Sequence, residues 1–170
     1  MVKSDREILK ERAVRNALII KESGGSMAEP ADTLEFTLLK QRFAIESRYA
    51  SEVHFIREIT PIPGAPSFVS GVIIHRGRIV SLINLRTLFK MKERGLTELN
   101  KFIIISNKDN YFGIIADSIT GILKKDLAEI MPPPDTIEQH LSAYITGIFP
   151  DGVIMLDAEK LLTSQEIIIK

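Results

Sequence analysis

The constraint that most narrows the folds open to this chain is internal: its second half echoes its first. "REITPIP" (57–63) returns as "AEIMPPP" (128–134), each a strand-like run ending in Glu-Ile and entering prolines. Further on, "FVSGVIIHRGRIVSLINLRTLF" (68–89) is answered by "AYITGIFPDGVIMLDAEKLL" (143–162). Ser70-Gly71 falls where Thr146-Gly147 falls, Gly77 faces Gly152, and Asn84 matches Asp157 ahead of a short helical segment. Even "RFAI" (42–45) and "YFGI" (111–114) hold the same place in the two halves. Two long copies do not make a solenoid. They predict two similar small β-barrels side by side.

The local pattern agrees. From Thr33 onward, short apolar runs alternate with turn signals, as in an all-β domain of small strands. Strands are expected at 36–39, 42–45, 53–60, 68–75, 78–84, 102–106, 111–116, 118–123, 127–131, 143–149 and 153–156, with helical turns at "LRTLF" (85–89) and "AEKLLTSQEI" (158–167). In the hairpin, Phe68, Val72 and Ile74 alternate with Val69 and Ile73, while Ile79 and Ile83 alternate with Val80 and Leu82. Both faces are therefore apolar, whereas a half-solvated strand shows one polar face. One side packs into a barrel; the other meets a second barrel, a helix or a partner. The turn His75-Arg76-Gly77-Arg78 needs Gly77 for its positive φ.

The organisation read from these signals is an amphipathic helix within 1–22, a linker at 23–32, a β domain at 33–164 with pseudo-repeats at about 33–90 and 101–163, and a tail at 165–170. The helix shows capping-box spacing at Ser4 and Glu7 and a stripe of Leu9, Ala13, Ala17 and Ile20, and Gly24-Gly25 ends it. Met27, after Gly-Gly-Ser, is consistent with a later start or a junction.

Composition excludes several function classes. There is no cysteine, which removes disulfides, thiol catalysis and cysteine-ligated zinc and fits a reducing cytosol. Lys+Arg and Asp+Glu are both 22, unlike the basic balance of a nucleic-acid binder. No uncharged apolar run reaches the length of a membrane-spanning helix. His54, His75 and His140 share no local metal-ligand spacing, and no nucleophile elbow or P-loop occurs. Asp117 and Asp157 occupy matched strand ends and read as hydrogen-bond partners of neighbouring turns, not as an acid–base pair. No catalytic residue, metal site or cofactor is expected. Arg76 stands out because the matching turn reads Pro150-Asp151, so the turn itself does not demand arginine. A planar five-donor head at a hairpin tip suits bidentate pairing across an interface. Glu58 recurs as Glu129, which leaves a shared structural role and a binding role both open.

With these residues in view, the chain resembles the CheW family of chemotaxis coupling proteins from about Leu34 to Leu162. The family pattern of hydrophobic-x-Glu-Ile before prolines, then "GV-x-x-LRG-x-[IV]-P-[VI]-[IV]-DLR", then "G-[LI]-x-VD-x-V" and "G…LLD", reads here as "FIREITPIPGAP", "SGVIIHRGRIVSLINLR", "GIIADSITGIL" and "GIFPDGVIMLDAEKLL". His75, Ser81, Asn84 and Ala116 depart from the residues usual at their positions, and the first three lie on or beside the distinctive hairpin. The resemblance implies two pseudo-symmetric five-stranded barrels around a hydrophobic seam, with an added N-terminal helix and a short C-terminal one. It implies a non-enzymatic, cytoplasmic adaptor associated with receptor arrays, bridging chemoreceptor cytoplasmic tips to the histidine kinase CheA through that kinase's regulatory domain. By position, Ile56, Glu58, Gly71, Val72 and Arg76 take the receptor-binding role in a groove near the seam, and kinase contacts fall around Gly147 and Phe149. Neither nucleic acid nor direct membrane insertion is implied. The alternative is a CheW-like regulatory module of a larger kinase or receiver-containing protein, although no receiver or ATP-binding segment occurs in the 170 residues.

Overall fold

The computed structural model describes residues 29–92, 95–96 and 100–168. The expected N-terminal helix and most of the linker lie outside them. Ten strands form among the described residues: β1 (Ala31–Leu38), β2 (Gln41–Glu46), β3 (Ala50–Phe55), β4 (Val69–His75), β5 (Arg78–Ile83), β6 (Lys101–Ser106), β7 (Tyr111–Ala116), β8 (Ser118–Lys125), β9 (Ile145–Ile148) and β10 (Ile154–Leu156). Three short helices accompany them among the same described residues: α1 (Leu85–Leu88), α2 (Gln139–Ser142) and α3 (Ala158–Thr163).

The strands build two five-stranded sheets, in the orders β8-β1-β2-β10-β9 and β3-β6-β7-β5-β4. The orders are equivalent under the sequence repeat, each holding one parallel pair, β2 with β10 and β5 with β7. Yet the halves of the sequence are not the halves of the structure. Each sheet takes its first hairpin from one repeat and its remaining three strands from the other. The crossovers fall at the 3-10 turn Ser47–Tyr49 and at Asp117, and neither half closes alone.

Closure uses the same device twice. Beyond β3, Thr60 exchanges backbone hydrogen bonds with Val72 of β4, at 2.8 and 2.9 Å. Beyond β8, Met131 exchanges two of 2.9 Å with Ile148 of β9. Glycine precedes each closing residue for a steric reason: a Cβ on Gly71 would overlap the Thr60 carbonyl oxygen and lie 2.6 Å from Ile59 Cγ2, and one on Gly147 would overlap the Met131 carbonyl oxygen. Gly71 also holds φ +143°, outside the range that side chains favour.

Three apolar clusters result. The largest is the seam, where Leu34, Phe36, Phe43 and Ile45 of the first sheet meet Ile83, Ile103, Ile105 and Ile114 of the second. The second barrel is filled by Ile56, Ile73, Val80, Leu82, Phe102, Ile104 and Ile115. The first is filled by Ala44, Phe149, Val153 and Met155. The near end of the hairpin's two apolar faces is thus explained, with Ile73, Val80 and Leu82 pointing into their barrel and Phe68 and Ile83 into the seam; Ile74 and Ile79 at its far end are exposed. Burial of each such side chain contributes roughly 1.5–3 kcal/mol.

A polar centre locks the seam. Arg86 of α1 is only 2% exposed, and its Nη1 lies 3.6 Å from Asp117 Oδ1. The Asn100 side-chain amide donates to the same oxygen at 2.8 Å. Asp117 Oδ2 accepts from the Leu39 N–H, and the Asp117 N–H donates to Thr37 O at 2.9 Å. Asn84 and Asp157 cap α1 and α3, accepting from the Arg86 and Lys160 N–H groups at 3.1 and 3.0 Å. The two aspartates therefore serve neighbouring turns, as their positions suggested.

Some boundaries differ from expectation. β1 begins at Ala31, inside the segment read as linker, because Ala31 and Asp32 pair with Lys125 and Lys124. Residues 127–129 form a 3-10 turn, since Asp126 caps it by accepting the Ala128 N–H at 2.9 Å; only Met131 rejoins the sheet. The strand expected from Ala143 begins at Ile145, because Ala143 and Tyr144 form a turn after α2, with the Tyr144 N–H donating to Leu141 O at 3.0 Å. In the tail, Ile167 is buried in the seam.

We expect Gly147→Ala to cost about 1–3 kcal/mol by overpacking, and Gly71→Ala to cost roughly 1–2 kcal/mol more from its dihedral. Urea unfolding measures both, and losses below about 0.5 kcal/mol would contradict the closure argument. Asp117→Ala, which strands the Arg86 charge, should cost about 3 kcal/mol in the same assay.

Candidate functional site

The second barrel is closed at Thr60 but not along β3, whose outer edge carries no backbone hydrogen bonds to β4. Between them runs a groove of roughly 650 Å³ lined by His54, Phe55, Glu58, Ile73, Ile74 and His75, with Phe102 beneath. Strand alternation fixes what enters it. Glu52 and His54 share one face of β3, and His75 ends β4 on the opposite bank.

These side chains bridge the open edge. The His54 and His75 Nε2 atoms lie 2.7 and 3.0 Å from the same Glu52 Oε2, and the imidazole centroids are 4.3 Å apart. Arg76 Nη1 takes the other oxygen, 3.3 Å from Glu52 Oε1. Hydrogen bonds from His54 and then His75, with the Arg76 charge adding to them, hold the Glu52 carboxyl below its ordinary range, against a smaller opposing effect of burial. The histidines sit 21 positions apart, 75 − 54, so local spacing does not reveal them. The only sequence hint is Glu-x-His on one strand face.

The hairpin tip holds both Arg76, φ +49°, and Gly77, φ +76°, in the left-handed region. That is the pattern of a type I′ turn, in which a non-glycine first residue is disfavoured by about 1–2 kcal/mol. Arginine therefore persists at a position that resists it, and its side chain is 71% exposed. Beside it, Ile74 and Ile79 face each other across the hairpin, 81% and 65% exposed, and Phe55 on the far bank is 57% exposed. The hairpin's outer end thus has an apolar surface that nothing among the described residues covers.

The other sequence-derived positions divide by burial. Glu58 is exposed on the groove wall, and no ion pair involves it or exposed Glu129 among the described residues. Ile56 is buried in the second barrel, its N–H donating to Asn100 O at 3.0 Å. Val72 is half-buried, with its backbone spent on closure, and Gly71 is buried beneath Thr60. Gly147 and Phe149 lie together in the first barrel, the glycine under Met131 and the phenyl ring in the core. Of the sequence-derived residues, Arg76 and Glu58 are the exposed ones; Ile74 and Phe55, which the sequence did not single out, are exposed beside them.

The first barrel repeats the staple with charge reversed. Asp151, at the hairpin tip matching Arg76, lies 2.7 Å from Lys125 Nζ on β8. Lys125 also reaches buried Glu35, at 2.9 Å, and stands 4.7 Å over the Phe149 ring. Burial works to lower the Lys125 pKa, but its bonds to Asp151 and Glu35 prevail and raise it. The hydrogen bond from Lys125, outweighing partial burial, lowers that of Asp151.

Residues 32–166 match the family model described as the CheW-like domain. The chain is 30% identical over 146 residues to the chemotaxis protein CheW of Treponema pallidum, covering 82% of this chain and 86% of that one. It is 26% identical to the protein FrzA of Myxococcus xanthus, over 71% of this chain and 78% of the relative. Among solved structures, the scaffolding protein TtCheW of Thermoanaerobacter tengcongensis superposes with a TM-score of 0.70 at 27% identity, over 81% of this chain and 95% of that one.

The lowered Asp151 pKa sets a pH dependence. Its contribution is complete above the unfolded-state value, ordinarily 3.8, and disappears as pH falls through the lower folded-state value. In urea melts, the stability advantage of the natural chain over Asp151→Asn should be constant near neutrality and shrink once pH drops below about 3.8. An advantage unchanged by acid would contradict the Lys125 pairing.

Proposed function

This chain belongs to the CheW-like domain family, and on that premise we propose that it bridges chemoreceptor cytoplasmic tips to the histidine kinase CheA. It is a non-enzymatic chemotaxis adaptor; none of its described helices is long and apolar enough to cross a membrane. Its place is the cytoplasm, against receptor arrays.

The observation that carries the reading is the outer end of the second barrel. Exposed Ile74, Ile79 and Phe55 surround an arginine held in a disfavoured backbone conformation. Apolar anchors around a guanidinium are the composition of an interface hot spot. A helical receptor tip laid along the groove would cover the isoleucines, with Arg76 and Glu58 reading its polar edge. Ile56, Gly71 and Val72 act beneath it, shaping the groove from the barrel wall. The kinase's regulatory domain, itself a barrel of this type, docks on the first barrel around Gly147 and Phe149. There the exposed groups are Leu123 and Met131, and Phe149 supports the surface from inside. Separate barrels let both partners engage at once.

The test is CheA autophosphorylation with purified receptor tips, with and without this protein, alongside Arg76→Asn. Asparagine accepts the left-handed turn, so the variant should melt within about 1 kcal/mol of the natural chain. Receptor binding should weaken by about 2 kcal/mol, roughly thirtyfold, and receptor-dependent kinase control should fall with it, while kinase binding is retained. Full coupling by the variant would remove Arg76 from the interface. Failure of the natural chain to bind either partner would overturn the function.

A further inference from the structure

The cluster at the open edge of the second barrel has the makings of a metal centre. Two imidazoles and a carboxylate converge there from two strands, their ligand atoms all within 4.8 Å of one another. The side chains are half-buried, and Phe102 closes the site from below, its ring centroid 5.7 Å from that of His54 and 6.2 Å from that of His75. Both histidines present Nε2 to one oxygen, Glu52 Oε2. Arg76 occupies Oε1, which orients the carboxylate and leaves Oε2 between the rings.

We propose that Glu52, His54 and His75 bind a divalent first-row transition ion of the zinc class. Two imidazole nitrogens and one carboxylate oxygen suit that class better than calcium or magnesium, which favour all-oxygen shells. The geometry is close to what is needed. Ligand atoms about 2.0–2.1 Å from a tetrahedral ion stand roughly 3.3 Å apart. The Nε2–Oε2 separations of 2.7 and 3.0 Å need to widen by roughly 0.6 and 0.3 Å. For the ion to bind, each Nε2 gives up the proton it now directs at Glu52: a neutral ring carries it on Nδ1 instead, and a charged ring releases it to solvent while keeping the one on Nδ1.

Three protein ligands leave a fourth position, and it faces the groove that His54 and His75 line. Water takes it in the free protein. The ion would staple β3 to the end of β4, where the backbone ladder is missing, and so stiffen the hairpin that carries Arg76. The inference rests on side-chain geometry alone and holds whichever partner occupies the groove.

The experiment is calorimetric titration of the full, chelator-treated chain with Zn²⁺ alone, alongside Glu52→Gln, His75→Gln and, as a control, His140→Gln. We expect one ion per chain in the micromolar range or tighter. Affinity should fall about tenfold or more in the Glu52 and His75 variants and stay unchanged in the control. Nitrogen-15 NMR of the natural chain gives an answer that no misfolded variant can obscure: the Nε2 resonances of His54 and His75 shift on binding and those of His140 do not. No binding at 100-fold molar excess of Zn²⁺, or binding that leaves both ring resonances in place, would overturn the site and show a purely hydrogen-bonded cluster. Undiminished affinity in both ligand variants would do the same.

Discussion

The structure depends on one carboxylate at one crossover. Asp117 stands where the chain leaves the second barrel for the first, between β7 and β8, and it ties together parts remote in sequence. Its oxygens engage the Asn100 amide, the Leu39 backbone and the buried Arg86 head. Leu39 is itself strained, at φ +56°, and the carboxylate holds that turn. A buried guanidinium without a counter-charge is intolerable in an apolar seam. The pair is therefore better understood as a register device than as a source of net stability. It fixes the crossover, because Asp117 stands beside Arg86 at the end of β7 and from there holds the Leu39 and Thr37 backbone of the first sheet.

The exchange of strands explains why this is one domain despite its repeat. Each barrel contains a hairpin from one half of the chain and three strands from the other, so neither half can bury its apolar faces alone. The seam cluster exists only when both are present. Cooperative unfolding follows from that topology, as does tolerance of divergence between the two barrel ends, where the seam makes no demands.

The ends are where the barrels differ. Both leave the third strand unpaired on its outer edge, and both bridge that edge by an ion pair to the following hairpin tip. One uses Arg76 with Glu52, the other Asp151 with Lys125. The first barrel buries the lysine of its staple against Glu35 and Phe149, making it a structural element. The second leaves its arginine and isoleucines exposed and its histidines half-buried at the open edge. An adaptor needs such asymmetry, since two partners must be offered distinguishable faces of a symmetric framework.

Much of this was legible in the residues. The repeat announced two barrels, because a backbone plan used twice demands the same turn residues twice: Gly71 and Gly147 beneath the closing carbonyls, Gly77 and Gly152 in the hairpins, Asn84 and Asp157 as helix caps. These requirements are local, acting through dihedral angles and short-range contacts, so they leave marks in the order of residues. Doubly apolar strands announced a second covered face but left open whether a barrel, a helix or a partner covers it; the seam does so for Phe68 and Ile83, while Ile74 and Ile79 stay exposed. The strand exchange left no such mark, since a strand carries the same alternation whichever sheet receives it. Nor did the gathering of Glu52, His54 and His75, which come from opposite banks of a groove that exists only once the barrel has closed. Sequence alone determined the kind of strands and turns this protein must have. Tertiary structure decided which strands became neighbours, because side-chain chemistry between distant segments depends on a proximity that only the completed backbone creates.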